Sequence, residues 1–206
     1  RCNMSCVYCQ NWQISRARGS VLAENLSLES ICDQIEAVLN AGSKLVGFVS
    51  PSHYVPQVKV IMRGLEERGR RPVFVYNTSS YDKVETIRSF DGLVDVWLPD
   101  LKYLDESVGH QFSDTPNYPA VATAAIREMF YQKGSSIRLD DHGNIESGLI
   151  IRHLVLPGKI ENSKRVLHWI AENLSINVHI SLMSQYHPTE KVKSHPVLGR
   201  ALHTEE

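Results

Sequence analysis

Three of the four cysteines lie close together near the start of the sequence, as Cys2-Asn-Met-Ser-Cys6-Val-Tyr-Cys9. Three thiolates on one short loop can ligate three irons of a [4Fe–4S] cluster, whose structural form normally takes four cysteines. The fourth iron then stays open for another ligand. The CxxxCxxC spacing therefore points to an iron–sulfur cluster that takes part in chemistry.

Zinc and disulfides are the other common uses of closely spaced cysteines. A structural zinc site takes four ligands in closely spaced pairs, and no second Cys or His pair follows at finger distance. Three thiols cannot all pair, and no signal peptide or long apolar run indicates an oxidising destination. A zinc-stabilised binding module remains the alternative. Cys32 lies among apolar residues at helical spacing, which predicts a buried helix position.

The composition limits the classes of partner. The 206 residues contain 22 Lys and Arg against 23 Asp and Glu, and 42% of them are hydrophobic. Such a balance creates no field that attracts nucleic acid or anionic membranes, so we expect neither as a partner. Length and hydrophobic content suit one domain with a sizeable core, and we expect a single cytoplasmic domain over residues 1–206.

Apolar segments alternate with amphipathic ones along most of the chain. This alternation predicts an α/β fold of parallel strands and crossover helices, specifically a partial parallel (β/α) barrel. The predicted strands cover residues 44–50, 73–78, 94–102, 148–157 and 177–183, and the predicted helices 55–68, 81–90, 119–133 and 163–173. Residues 134–148 are predicted to leave regular structure, with a turn at 140–143.

Polar residues follow the predicted strands, where ligands bind in folds of this kind. They are Ser50, Ser52, His53, Asn77, Thr78, Asp100, Lys102, Gln185, Tyr186 and His187. One polar residue at a strand end often only caps the next helix, but joint placement on one rim favours a binding site. Arg152 and His153 point to opposite sides of one strand, and an inward Arg152 would hold a carboxylate bidentately.

Longer phrases carry a resemblance to a known family. The CxxxCxΦC motif with the aromatic Tyr8, together with residues 75–81, 94–103, 151–158 and 182–188, resembles the radical S-adenosylmethionine (SAM) superfamily. The match is to its pyruvate formate-lyase activating-enzyme-like branch, in a poorly characterised subgroup. The resemblance implies that Cys2, Cys6 and Cys9 ligate a [4Fe–4S] cluster whose open iron binds SAM. Tyr8 would pack over the cofactor or, alternatively, anchor the loop.

The resemblance also implies which strand-end residues line the SAM pocket, namely Asn77, Thr78, Asp100, Lys102 and His187. Lys102 would donate to the ribose or to a carboxylate while Asp100 offsets its charge, although an ordinary ion pair is the alternative. His187 would bind the nucleoside, or only close the rim.

The implied chemistry is reductive cleavage of SAM to a 5′-deoxyadenosyl radical that abstracts a hydrogen atom. The substrate would be a glycyl-radical protein, and reduced flavodoxin or ferredoxin would supply the electron. A small molecule or another protein is an open alternative for the substrate. A degenerate member that keeps the cluster without turnover is a further alternative.

Two departures from the family pattern are visible. Where many activating enzymes have a Gly-Gly-Glu turn, this chain reads Gly47-Phe-Val-Ser-Pro-Ser-His-Tyr54. Hydroxyls of Ser50 or Ser52 and backbone carbonyls would replace that turn in holding the SAM ammonium group, unless the segment is only a proline-bounded helix start. We also expect the chain to be a fragment, truncated at both ends, that lacks the first strand and a terminal helix.

Overall fold

The computed structural model describes residues 2–16 and 26–206. The strands are β1 (Leu45–Val49), β2 (Val73–Thr78), β3 (Val96–Pro99), β4 (Arg138–Leu139), β5 (Ile145–Leu154) and β6 (His179–Met183). The helices are α1 (Trp12–Ser15), α2 (Leu28–Asn40), α3 (Val55–Glu67), α4 (Val84–Arg88), α5 (Glu106–Ser113), α6 (Tyr118–Lys133) and α7 (Ile160–Asn173). Short 3-10 turns cover Pro51–His53 and Glu190–Val192.

The strands form one sheet in the order β1-β2-β3-β5-β6, all parallel, with β4 antiparallel to β5. The α/β prediction with a parallel-dominated sheet is therefore confirmed. Within the described ranges no strand pairs β1 with β6, so the barrel is open between them. In parallel sheets, ligands bind at the carboxyl ends of the strands. The candidate site is therefore expected at the edge where the carboxyl ends of these strands meet.

The three central strands β2, β3 and β5 carry the core. Trp97, Tyr76 and Ile151 are fully buried, and the rings of Tyr76 and Trp97 are 5.1 Å apart. Buried aromatic area of this size dominates core energetics and fixes the strands that carry the site. In the described part of the chain, no helix has the length and apolarity needed to cross a bilayer.

Helices α2 and α3 pack closely against each other beside β1. Cys32 on α2 is 1% exposed, as its helical spacing predicts. A side chain at Gly64 of α3 would come within 3.1 Å of the Cys32 sulfur, so the glycine permits the close approach. Ser27 caps α2 by accepting a hydrogen bond from the Ser30 amide. Cys32 therefore packs between α2 and α3 and does not belong to the group formed by Cys2, Cys6 and Cys9.

One sequence prediction of local structure is wrong, and one helix is missed. Residues 134–148 were expected to be irregular, but they contain β4 and the start of β5, which pair as a hairpin. The predicted turn at its tip is confirmed, because the amides of His142 and Asn144 donate to the Asp140 carboxylate. Helix α5 was not predicted, since eight residues that include Gly109 have little helical pattern of their own.

Candidate active site

The cysteine loop, residues 2–9, lies across the strand ends and is held there by backbone hydrogen bonds. The amides of Ser5 and Val7 donate to carbonyls at the end of α5, at 3.1 and 2.8 Å. The Asn3 side-chain amide donates to the Tyr81 carbonyl at 2.6 Å, which ties the loop to the segment after β2. The helix missed by the sequence prediction is thus what positions the cysteines.

Cys2, Cys6 and Cys9 are free thiols and are each half-buried. Burial raises the pKa of the Cys6 thiol, while the positive charge of Lys102 and the Ser113 hydroxyl act in the opposite direction. The Ser113 hydroxyl donates to the Cys6 sulfur at 3.0 Å. Burial outweighs these two effects, so the net shift of the Cys6 pKa is upward, while the Lys102 charge and the Ser113 hydrogen bond favour the thiolate that a metal ligand must be.

The donor set fits a [4Fe–4S] cluster, for which each thiolate takes a separate iron. Within residues 2–16 and 26–206, no three His, Cys, Asp or Glu side chains are grouped so that they could hold one metal ion. Three free cysteines on a single well-anchored loop are instead the ligands that a site-open cluster uses. The residues present are therefore compatible with the predicted cofactor.

The side chain of Tyr8 packs from the cysteine loop into the core. It is 8% exposed, its hydroxyl lies 2.5 Å from that of Tyr103, and its ring meets the ring of Tyr186 edge-on at 6.1 Å. Burial raises the pKa of Tyr8 well above its usual range, so the phenol stays neutral. These contacts match the loop-anchoring alternative for this residue.

Asp100 is the centre of a polar network at the ends of β2, β3 and β5. Lys102 Nζ donates to Asp100 Oδ2 at 2.6 Å, and Arg152 Nε donates to Asp100 Oδ1 at 2.8 Å. Arg152 Nη2 also donates to the side-chain oxygen of Asn77 at 2.8 Å. Two cations share one carboxylate, so the network keeps one positive charge uncompensated. We call Asn77, Asp100, Lys102 and Arg152 the strand-end network.

Lys102 connects the strand-end network to the cysteine loop. Burial alone would lower the pKa of Lys102, but the charges of Asp100 and Cys6 raise it, and the net shift is upward. Its backbone is held as well, because the Lys102 amide donates to the Tyr118 hydroxyl at 3.0 Å and its carbonyl accepts from Asn162 at 3.0 Å. A charged lysine therefore bonds to the Asp100 carboxylate and acts electrostatically on the Cys6 thiol.

The direction of Arg152 and His153 on β5 is now settled. Arg152 faces the strand-end network, whereas His153 is 1% exposed and faces the helices. His153 Nδ1 lies 2.6 Å from the Leu101 carbonyl, which can only accept, so this nitrogen carries the hydrogen. Nε2 then accepts from the Ser163 hydroxyl at 2.9 Å. Burial lowers the pKa of His153, and the ring is a neutral structural element.

Thr78 does not join the strand-end network. It is 1% exposed, and its hydroxyl donates to Asp82 and accepts from the Ser80 amide at 3.0 Å. Burial raises the pKa of Asp82, while hydrogen bonds from the hydroxyls of Thr78 and Ser52 lower it. The alternating direction of side chains along β2 explains why Asn77 points to the network and Thr78 to the turn.

The Ser50–Tyr54 turn adopts the proline-bounded geometry given as an alternative. Ser50 has a φ of 50°, a left-handed conformation that is uncommon for serine, and its amide donates to the Asn77 carbonyl at 2.8 Å. This bond places Ser50 at the rim beside the strand-end network. Ser52 lies near Asp82, and the exposed His53 has its ring 4.1 Å from that of Tyr54.

Among the described residues, those that follow β6 form no hydrogen bond with the strand-end network. His187 is exposed, whereas the neighbouring Tyr186 is buried and its hydroxyl donates to the Leu198 carbonyl at 2.8 Å. Gln185 is exposed as well. The predicted site residues that come together are thus Asn77, Asp100, Lys102, Arg152 and the cysteines, with Ser50 at the rim.

Sequence reasoning missed several residues that support this site. Tyr118 accepts from the Lys102 amide and donates toward the Asp100 carbonyl, 2.8 Å away. Tyr103 and Ser113 lie beneath the cysteine loop, their oxygens 2.8 Å apart. The only signal for them was position, since Tyr103 follows Lys102 directly and Ser113 ends a helix that the sequence did not predict.

No family model matches the chain. It is 28% identical over 209 residues to an uncharacterized protein of Methanocaldococcus jannaschii, an alignment that covers all of this chain and 57% of that protein. The crystal structure of HydG, a maturase of the [FeFe]-hydrogenase, aligns with a TM-score of 0.57 at 10% identity, over 96% of this chain and 43% of HydG. At such identity the likeness shows the fold alone, an α/β architecture shared over nearly the whole of this chain.

Proposed function

We propose that this chain is a radical SAM enzyme whose Cys2, Cys6 and Cys9 hold a [4Fe–4S] cluster. The observation that carries the proposal is that contacts through Tyr103 and Tyr118 join Tyr8 of the cysteine loop to the backbone of Asp100 and Lys102 in the strand-end network. When bound, such a cluster supplies one electron to the sulfonium of SAM, which splits to methionine and a 5′-deoxyadenosyl radical that abstracts a hydrogen atom.

The strand-end network would bind the polar groups of SAM. Lys102 and Arg152 together keep one positive charge that Asp100 does not neutralise, which suits the SAM carboxylate. Asp100 holds both cations in place, one on each of its carboxylate oxygens. Lone pairs at the Ser50 turn, beside Asn77, would accept from the ammonium group where Gly-Gly-Glu is missing.

Buried aromatic residues would keep the loop and the strand ends in register. Tyr8, Tyr103 and Tyr118 are at most 8% exposed, and each uses its hydroxyl for a hydrogen bond. A radical reaction needs such rigidity, because misplaced reactants and stray water divert reactive intermediates. The hydrogen bonds that hold the Lys102 backbone would also help to keep the strand ends rigid.

The finer assignment is an activating enzyme of the pyruvate formate-lyase type, acting on the backbone glycine of a glycyl-radical protein with reduced flavodoxin or ferredoxin as electron donor. The support is the sequence resemblance over residues 75–81, 94–103, 151–158 and 182–188. A glycyl-radical electron paramagnetic resonance (EPR) signal on such a protein, after incubation with this chain, SAM and reduced flavodoxin, would test it. Without that signal, a different hydrogen donor is the substrate.

The test of the main proposal is 5′-deoxyadenosine release from anaerobically reconstituted protein given SAM and dithionite, with iron, sulfide and zinc counted on the same sample. We expect about four irons per chain and product above background. Cys6→Ala should abolish release, and the matched control Cys32→Ala, in the α2–α3 contact, should retain it.

Each other outcome contradicts the proposal in its own way. A full cluster without deoxyadenosine would mean a degenerate protein that binds the cluster without turnover. Zinc without iron would support the zinc-stabilised module. Equal release from Cys6→Ala and wild type would show that the chemistry arises elsewhere.

A further inference from the structure

A chain of buried hydroxyl groups ends on the sulfur of Cys6. Tyr8 Oη lies 2.5 Å from Tyr103 Oη, and Tyr103 Oη lies 2.8 Å from Ser113 Oγ. Ser113 Oγ donates to Cys6 Sγ at 3.0 Å. Tyr103 and Ser113 are fully buried and Tyr8 is 8% exposed, so water does not compete for these bonds.

The direction of donation along this chain follows from its last bond. Because the Ser113 hydroxyl gives its hydrogen to sulfur, its oxygen is free to accept from the Tyr103 hydroxyl, and Tyr103 then accepts from Tyr8. Each donor polarises the next, so the series strengthens the final bond to sulfur. The three hydroxyl groups of Tyr8, Tyr103 and Ser113 thus act on one thiolate.

The other two cysteines have weaker polar contacts. Cys9 Sγ lies 3.6 Å from Ser15 Oγ, and Cys2 Sγ lies 3.8 Å from the side-chain oxygen of Asn3, which only accepts. The positive charge of Lys102 also acts on the Cys6 thiol. One ligand of the three is therefore singled out by the protein.

We propose that Ser113, supported by Tyr103 and Tyr8, is a positioning residue that raises the reduction potential of the cluster by donating a hydrogen bond to Cys6 sulfur. The inference rests on the proposed function, since it requires the cluster. Reduction adds one electron and no atoms, so the negative charge on the ligand sulfurs increases. A hydrogen-bond donor stabilises that charge and makes the reduced form easier to reach.

The experiment is an anaerobic redox titration of the reconstituted protein with dithionite and mediators, followed by EPR of the reduced cluster. We expect Ser113→Ala to shift the midpoint potential to more negative values. Tyr103→Phe keeps the serine donor and loses only its support, so its shift should have the same sign and be smaller, and that of Tyr8→Phe should be smaller still. Ser107→Ala, on the same helix but bonded to Asp105, is the matched control and should not shift.

The readout separates tuning from a merely structural role. A structural role would reduce the iron bound per chain while the clusters that do form keep the wild-type potential, and that result would overturn the inference. If Ser113→Ala takes up no cluster, an unchanged potential in Tyr103→Phe overturns it. A wild-type protein that holds no cluster would overturn the proposed function as well, whereas cleavage of SAM with unchanged potentials would overturn the inference alone.

Discussion

The central strands and the flanking strands of the sheet differ in burial and in chemistry. Trp97 on β3 and Ile151 on β5 are fully buried, whereas Val49 on β1 is 68% exposed and Leu182 on β6 is 53% exposed. The strand-end network lies entirely at the ends of the central strands β2, β3 and β5. Of the residues predicted after the flanking strands, His53, Gln185 and His187 are exposed.

This difference indicates that the side chains at the ends of the central strands are held in a more fixed geometry than those of the flanking strands. Each member of the strand-end network forms a hydrogen bond or ion pair with another member, which restricts the rotamers that its side chain can adopt. Within the described residues, each flanking strand pairs with one neighbour only, and more of its side-chain surface is exposed to solvent. We therefore expect changes in the centre to affect both stability and cofactor binding, and changes at the flanks to affect little.

The largest expected effect is on core packing. Ile151→Ala on β5 should lower the free energy of unfolding by about 4 kcal/mol, because it leaves a cavity between fully buried neighbours. Leu182→Ala on exposed β6 should cost about 0.5 kcal/mol or less. Urea unfolding of both variants measures the difference. Equal losses would mean that β6 is as buried as β5, and the comparison would fail.

A second prediction concerns Asp100, which faces two cations. Asp100→Asn should lower the free energy of unfolding by about 3 kcal/mol, since Lys102 and Arg152 are left without their counter-ion in a partly buried place. The matched control is Glu161→Gln, which breaks the exposed Glu161–Lys164 pair and should cost less than about 1 kcal/mol. Chemical denaturation at one salt concentration measures both, and equal costs would contradict the account.

The pH dependence of stability should carry a contribution from His153. Burial lowers the pKa of this histidine, so the folded state resists its protonation more than the unfolded state does. The stability is complete above the unfolded pKa of about 6.5 and falls as the pH drops through that value toward the folded pKa. His153→Gln removes the titrating group, so its unfolding free energy should fall less between pH 7 and pH 5. Parallel curves for the two proteins would refute this role.

The smallest expected effect is at His187, beyond β6. Because its side chain is exposed and forms no hydrogen bond with the strand-end network, His187→Ala should change SAM affinity by less than about twofold and stability by about 0.5 kcal/mol or less. Isothermal titration of SAM into reconstituted protein measures the affinity. A tenfold loss would show that the flank contributes to the pocket, as the family resemblance implied.

The sequence predicted the cysteine loop and the strand-end rim because both follow from short-range patterns. Ligand spacing is local, and buried parallel strands are continuous apolar runs whose ends are visible in the sequence. Strand register was not visible, so only the structure shows that Arg152 rather than His153, and Asn77 rather than Thr78, faces the strand-end network.

Helix α5 shows why the rest escaped prediction. Its eight residues are held by tertiary contacts, such as the tight approach of Gly109 to the Thr115 carbonyl, rather than by intrinsic helical propensity. Ser113 reaches Cys6 across more than one hundred residues of sequence, a pairing that no local pattern encodes. The residues of α5 that position the cysteine loop and bond to Cys6 therefore depend on long-range packing, which a local sequence pattern does not show.

The most direct test of the central claim is the EPR spectrum of the reduced, reconstituted protein with and without SAM. If the cysteine loop and the strand-end network form one site, SAM must bind at the cluster and change the spectrum, and the change should be lost in Asp100→Asn protein that still holds its iron. A spectrum that SAM leaves unchanged in the wild-type protein would contradict the account.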